Sequence, residues 1–104
     1  MTDFDRLVDG LCRRPQLFTN CGRGLPEVIA YLTGYHHGAF GAPVGDRTRD
    51  PLRGFNRFVT ERFGYEPNIG WDYVVLREFG ALGQEEARDA FRELYALFKA
   101  TRDL

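Results

Sequence analysis

The side chains that could carry out chemistry in this chain are few and widely spaced. The two histidines, His36 and His37, are neighbours, and the two cysteines are Cys12 and Cys21. Adjacent residues of a helix point about 100° apart, so both histidines cannot easily bind one metal ion. Cys21 with either histidine would make a thiol–base pair only if a neighbouring group lowered the pKa of the thiol. The chain contains no serine, which excludes a serine nucleophile.

Motifs for metals and phosphates are equally weak. The two cysteines are not spaced as in CxxC or a zinc knuckle, and neither histidine lies in an HExxH motif. The pair Gly22 and Gly24 lacks the preceding buried strand of a phosphate-binding loop. Acidic residues near the middle of the chain could form a carboxylate site, although salt bridges to nearby arginines are the simpler outcome: Glu61, Glu66, Asp72 and Glu78. We therefore expect no metal or cofactor and a non-catalytic protein, with a small thiol- or metal-dependent enzyme as the third-ranked alternative.

Arginines are the other residues whose spacing indicates a site. Arg53 and Arg57 are one turn apart on a predicted helix, and Arg47 and Arg49 lie in the loop that precedes it. Arginine beside an exposed aromatic side chain is typical of the anchors of protein interfaces. The predicted binding residues are Phe40, Arg47, Arg49, Arg53 and Arg57.

Charge and hydrophobicity narrow the function classes. The net charge of −1 argues against a general nucleic-acid binder, so nucleic acid is an unlikely partner. The loop arginines keep one alternative open, an accessory domain that contacts nucleotides or nucleic acid. No run approaches the roughly 20 apolar residues of a membrane span, and acidic residues precede any apolar run at the N-terminus, unlike a signal peptide. We therefore expect a cytoplasmic protein with two free thiols, Cys12 buried and Cys21 in a loop.

The hydrophobic pattern that must position these residues is helical. Five helices are predicted, at about Asp3 to Arg14, Leu25 to His37, Pro51 to Phe63, Trp71 to the residue before Gly80, and Gln84 to Arg102. Thr2 and Asp5 predict a capping box, and Asp50 predicts the cap of the third helix. A short strand at Tyr73–Leu76 is the competing interpretation of the fourth segment. At 104 residues, the sequence predicts one all-α domain, residues 1–104, with the helix near 71–79 at its centre.

Aromatic residues make up 14% of the chain, which is rich for its length. A domain of this size buries only about two-thirds of the surface of its unfolded chain, so some large rings are expected to stay exposed. A second copy could cover Tyr31, Tyr65 or Tyr95, and a homodimer is therefore an alternative oligomeric state.

Two stretches follow a pattern of structural residues. Arg14-Pro15 and then Phe18 precede a helix that ends in LxGY, and the later segment FNRFVTERFGYEPNIGW ends in Gly70-Trp71. In these stretches the chain resembles small bacterial proteins with an RPxxY…LxGY…F…GW pattern. Some of those proteins resemble the cytoplasmic immunity proteins encoded beside secreted polymorphic toxins. The resemblance implies a non-catalytic protein that binds a protein partner, such as a toxin, and it assigns no catalytic residue.

Overall fold

The chain forms five α-helices and one short 3₁₀ turn in the computed structural model, which describes residues 2–18, 23–40 and 50–103. The helices are α1 (Asp3–Arg13), α2 (Leu25–Phe40), α3 (Phe55–Phe63), α4 (Trp71–Phe79) and α5 (Gln84–Arg102), and the 3₁₀ turn is Pro15–Leu17. These ranges contain no strand, so the predicted all-α fold is confirmed. The competing strand at Tyr73–Leu76 is wrong, because those residues lie within α4.

The start of α1 is the predicted capping box. The hydroxyl of Thr2 accepts a hydrogen bond from the Asp5 N–H at 3.0 Å, and the Asp5 carboxylate accepts one from the Thr2 N–H at 3.0 Å. The helix ends at Arg13, because Pro15 disfavours the helical conformation at the residue before it.

The second helix is longer than predicted and ends at Phe40 instead of His37. Gly38 lies inside the helix, because a glycine costs about 1 kcal/mol relative to alanine and does not by itself end a helix. Gly34 also lies inside α2. No described atom lies within 4 Å of the position that a Cβ would take there.

The third helix begins at Phe55, four residues later than the predicted start at Pro51. Asp50 does cap the chain locally, since its Oδ1 accepts a hydrogen bond from the Leu52 N–H at 2.8 Å. The four residues after Asp50 form a turn, however, and Gly54 has a φ of 82°, in the left-handed region. A residue with that φ interrupts a right-handed helix, so α3 is restricted to nine residues.

All five helices contribute to one hydrophobic core. Its larger members are Phe4, Val8, Leu11, Val28, Ile29, Leu32, Phe55, Val59, Val74, Val75, Phe91, Leu94, Tyr95 and Phe98. The helix predicted as central, α4, packs against α2, α3 and α5, but only Val74 and Val75 of α4 are buried and Tyr73 is 52% exposed. α5 contributes five buried residues and contacts all four other helices, so it shares the central position.

Asn56 links α3 to the start of α4. Its Oδ1 accepts a hydrogen bond from the Trp71 N–H at 2.7 Å, and its Nδ2 donates to the Pro67 carbonyl at 3.1 Å. Gly70, at the N-cap of α4, has no side chain that could cap the helix. Asn56 therefore satisfies an N–H donor in the first turn of α4, where backbone donors have no partner within the helix.

Two glycines provide a paired test of this backbone. Gly64 ends α3 with a φ of 76°, whereas Gly34 lies inside α2 with open space around it. We expect Gly64→Ala to lower the free energy of unfolding by about 1–2 kcal/mol, because a Cβ is strained in the left-handed region. Gly34→Ala should raise it by about 0.5–1 kcal/mol. Urea unfolding followed by circular dichroism measures both free energies. Changes of the same sign would contradict the assignment of a left-handed conformation to Gly64 and a helical one to Gly34.

Candidate functional site

Two of the predicted binding residues, Arg53 and Arg57, line the same groove. Arg47, Arg49 and the side chain of Phe40 lie outside the described part of the structure. The groove has a volume of about 520 Å³ and lies between the start of α3 and the last turns of α5. Its lining residues are Asp50, Arg53, Gly54, Arg57, Phe58, Glu61, Phe98, Thr101 and Arg102.

The apolar part of the groove comes from the packing of α3 on α5. The rings of Phe58 and Phe98 have centroids 5.6 Å apart, and Phe55 contacts Phe98 from the core side at 4.8 Å. Phe98 is buried and Phe58 is half-buried, so the groove offers part of an aromatic surface to solvent. The Arg102 guanidinium lies 5.9 Å from the Phe98 ring centroid and closes one side.

The charged groups of the groove differ in whether they form ion pairs or hydrogen bonds within the chain. Arg57 donates to Glu61 at 2.8 Å, in a pair whose side chains are 82% and 65% exposed. Asp50 accepts a hydrogen bond from the His36 ring at 2.7 Å. Arg53 is exposed, and no acidic residue of the described ranges forms an ion pair with it. Arg53 is therefore the groove cation with the most accessible charge.

The candidate catalytic groups do not converge in the described ranges. His36 is half-buried and, besides Asp50, contacts the Phe4 ring edge-on with centroids 5.9 Å apart, while His37 is exposed. Cys21 lies outside the described residues. No group of three or more histidine, cysteine, aspartate or glutamate side chains within those ranges could hold a metal ion.

The acidic residues proposed as a carboxylate site are instead spread over the surface. Glu61 pairs with Arg57, and Glu78 accepts a hydrogen bond from the Tyr65 hydroxyl at 2.8 Å. That hydrogen bond raises the pKa of Tyr65 above its ordinary value. The simpler outcome, a salt bridge to a nearby arginine, is thus confirmed for Glu61, whereas the contact of Glu78 is with a tyrosine hydroxyl.

A buried ionic network lies directly behind the groove. The carboxylate of Asp5 accepts hydrogen bonds from the Tyr95 hydroxyl at 2.5 Å and from Arg102 at 2.8 and 3.2 Å, in addition to the Thr2 N–H. Arg102 also donates to the Pro51 carbonyl at 3.0 Å. These contacts join α1 and α5 to the turn that leads into α3, and they fix the Arg102 wall of the groove.

The network fixes the protonation states of Asp5 and Tyr95. Burial alone would raise the pKa of the Asp5 carboxyl, but hydrogen bonds from Arg102, Tyr95 and Thr2 outweigh it and hold that pKa well below its ordinary value. Burial, with the hydrogen bond to Asp5, raises the pKa of Tyr95 far above its ordinary value. At neutral pH, Asp5 is therefore ionised and Tyr95 is protonated, which is a structural arrangement and not one poised for proton transfer.

The depressed pKa of Asp5 predicts an acid-sensitive stability. Because the folded-state pKa lies below the unfolded one, the contribution is complete above about pH 4 and is lost as the pH falls from there through the folded-state pKa. We expect the unfolding free energy of the native chain to fall more steeply below pH 4 than that of Asp5→Asn, in which this position does not titrate. Urea unfolding between pH 7 and pH 2 measures both slopes, and parallel curves would contradict the prediction.

Cys12 is buried, as predicted, and burial raises the pKa of its thiol to about 12. In a Cys21→Ala background we expect the folded chain to resist a thiol-specific disulfide reagent at pH 8 and to react only after unfolding, since the thiolate is the nucleophile. A second variant that also carries Leu82→Cys, at a position 42% exposed, should react at once with one equivalent. Rapid labelling of Cys12 in the folded chain would contradict its inert, structural role.

A second exposed surface is aromatic. Phe18 and Tyr31 contact each other with ring centroids 6.2 Å apart, and Tyr35 is 43% exposed one turn further along α2. Phe18 also covers Gly10, where a Cβ would lie 3.0 Å from the ring. Of the tyrosines that suggested a dimer, Tyr31 belongs to this surface. Tyr95 does not qualify, because it is buried with its hydroxyl on Asp5.

None of the helices in the described ranges is both long and apolar enough to cross a membrane. No protein-family model, curated protein or solved structure matches this chain.

Proposed function

We propose that this chain is a non-catalytic protein-binding domain of the immunity or inhibitor kind, which occludes the active site of a toxin partner in the cytoplasm. The observation that carries the proposal is the groove, whose lining includes the exposed Arg53 and the half-buried ring of Phe58. Arginine and aromatic residues are enriched in the small set of contacts that carry most of the binding energy of interfaces. The resemblance to immunity-type proteins supplies the class of partner.

A preformed surface suits this mechanism. α3 and α5 are joined through the ring contacts of Phe55, and the Arg102 wall is fixed by Asp5. A surface that is already ordered loses little conformational entropy on binding, so more of the contact energy appears as affinity. The domain would then act by covering a partner's active site, without any bond being made or broken.

Mixed charge in the groove favours a protein over nucleic acid as the partner. The lining carries three arginines together with two acids, Asp50 and Glu61. Nucleic-acid binding depends on several cations that neutralise successive phosphates, and Arg57 and Arg102 are already paired within this chain. The alternative, an accessory domain that contacts nucleotides or nucleic acid, makes a different prediction. It requires nucleic-acid binding that weakens steeply with salt and in the double variant Arg53→Ala plus Arg57→Ala.

The test is a direct binding measurement with the product of the toxin-like gene expected beside the gene for this chain. We expect a one-to-one complex with a nanomolar Kd in titration calorimetry, and loss of toxin activity when the complex forms. A random-sequence DNA duplex titrated at 50 and 200 mM salt serves as the competing ligand. A gene neighbourhood without a toxin-like gene, or salt-sensitive DNA binding without a protein complex, would contradict the proposal.

A further inference from the structure

We infer that the groove takes a partner segment that places a carboxylate side chain on Arg53 and an adjacent apolar side chain against Phe58. The inference rests on the proposed function, since it states the chemistry of the protein that would be bound. It commits the groove to an acidic segment of the partner, as opposed to a phosphate group or a second aromatic surface.

Pairing within the chain separates Arg53 from the other charged residues of the lining. Every other charged residue in the lining has a partner within the chain; the contacts are Arg102 with Asp5 and Asp103, Arg57 with Glu61, and Asp50 with His36. Arg53 forms no ion pair within the described ranges. Among the described residues, the groove therefore presents one guanidinium that is not engaged in an ion pair, and the paired N–H donors of that group match the two oxygens of a carboxylate.

Phe58 and Gly54 line the same groove as Arg53. Phe58 is half-buried and rests on the buried Phe98, so its exposed part is held in place by the core. Between Arg53 and α3, Gly54 has no side chain, and a Cβ placed there would meet no described atom within 4 Å. The space above the backbone at Gly54 is therefore open to a partner chain that reaches both the guanidinium and the ring.

The charges of the lining favour a carboxylate over a phosphate. The carboxylates of Asp50 and Glu61 line the same groove and would repel a dianion more strongly than a singly charged group. A phosphate is normally held by several cations or backbone donors, whereas Arg53 is the one arginine of the described lining that could bind it without breaking an ion pair. The lining carries three arginines and two acids, so a single negative charge balances the charges of its side chains.

The experiment is an NMR titration of the full ¹⁵N-labelled chain with short peptides blocked at both ends. One peptide carries phenylalanine followed by glutamate, and the matched peptide carries phenylalanine followed by glutamine. We expect the glutamate peptide to shift the Arg53 Nε–H signal and the amide signals of Gly54, Phe58 and Thr101, and to bind at least about tenfold more tightly than the glutamine peptide. Inorganic phosphate at equal concentration should leave these signals in place.

Two variants provide the control, one in the turn that precedes α3 and one within α3. Arg53→Gln should abolish the preference for glutamate, whereas Arg62→Gln, an exposed arginine of α3 outside the groove, should leave it unchanged. Equal binding of both peptides, stronger shifts with phosphate, shifts that persist in Arg53→Gln, or no shifts up to millimolar peptide would each overturn the inference.

The same variants separate this inference from the proposed function. With the partner protein, Arg53→Gln should weaken the complex about tenfold or more, and Arg62→Gln should change it less than about threefold. A complex that keeps its full affinity in Arg53→Gln would overturn the groove inference and leave the proposed function standing. Failure to bind any toxin-like partner would overturn the proposed function, while the peptide titration would still decide which group the groove accepts.

Discussion

Replacing Arg102 with methionine is expected to lower the free energy of unfolding by about 3–5 kcal/mol. The substitution keeps much of the apolar stem but removes the guanidinium that faces Asp5, whose carboxylate is fully buried. Asp5 would retain hydrogen bonds from Tyr95 and Thr2, but its buried charge would lose its counter-ion. Urea unfolding at pH 7, followed by far-ultraviolet circular dichroism, measures the loss.

Arg92→Met is the matched control. Arg92 donates to Asp9 at 2.8 Å and joins the same two helices, α5 and α1, but the side chains are 38% and 43% exposed. Exposed pairs contribute about 0.2–1 kcal/mol, so the control should stay close to the native chain. Equal losses of unfolding free energy in Arg102→Met and Arg92→Met would show that burial does not determine how much the Asp5 network stabilises the fold.

The contrast between these two ion pairs also shows which features of the fold the sequence can predict. Periodicity and capping residues predict all five helices, with α4 and α5 at their observed positions, because those signals are local. The capping box already accounts for the residue type of Asp5, so nothing in the local pattern indicates that its other oxygen meets Tyr95 and Arg102. Contacts across about 90 residues depend on how α1 and α5 pack, which hydrophobic spacing does not specify.

The groove likewise has one wall that could be predicted from the sequence and one that could not. Arg53 and Arg57 both line the groove, but not as one face of a helix, because Arg53 lies in the turn before α3 begins at Phe55. The other wall, from Phe98 to Arg102, comes from α5 and follows from the packing of two helices that are distant in sequence. The start of α3 was misplaced because Asp50 and Pro51 are ordinary helix-start residues, whereas the left-handed φ of Gly54 is not visible in the sequence.

The second large effect is expected for Phe55→Ala, which should lower the free energy of unfolding by about 3–5 kcal/mol. Phe55 is fully buried, and its ring contacts those of Trp71, Tyr95 and Phe98 with centroids 5.1, 5.7 and 4.8 Å away. The change would remove the ring that joins α3 to both α4 and α5 and would leave a cavity between them. Small domains are stable by only about 5–15 kcal/mol, so the loss is a large fraction of the total.

Phe63→Ala provides the comparison within α3. Phe63 is half-buried and contacts Phe79 at the edge of the core, with centroids 5.9 Å apart, so its removal leaves a site that solvent already reaches. Its cost should be less than half that of Phe55→Ala in the same urea experiment. Because Phe55 also supports Phe98 beneath the groove, Phe55→Leu, a milder truncation, should weaken binding of the glutamate peptide although Phe55 does not line the groove. Equal costs in the two alanine variants would contradict the assignment of Phe55 as the residue that holds α3 in place.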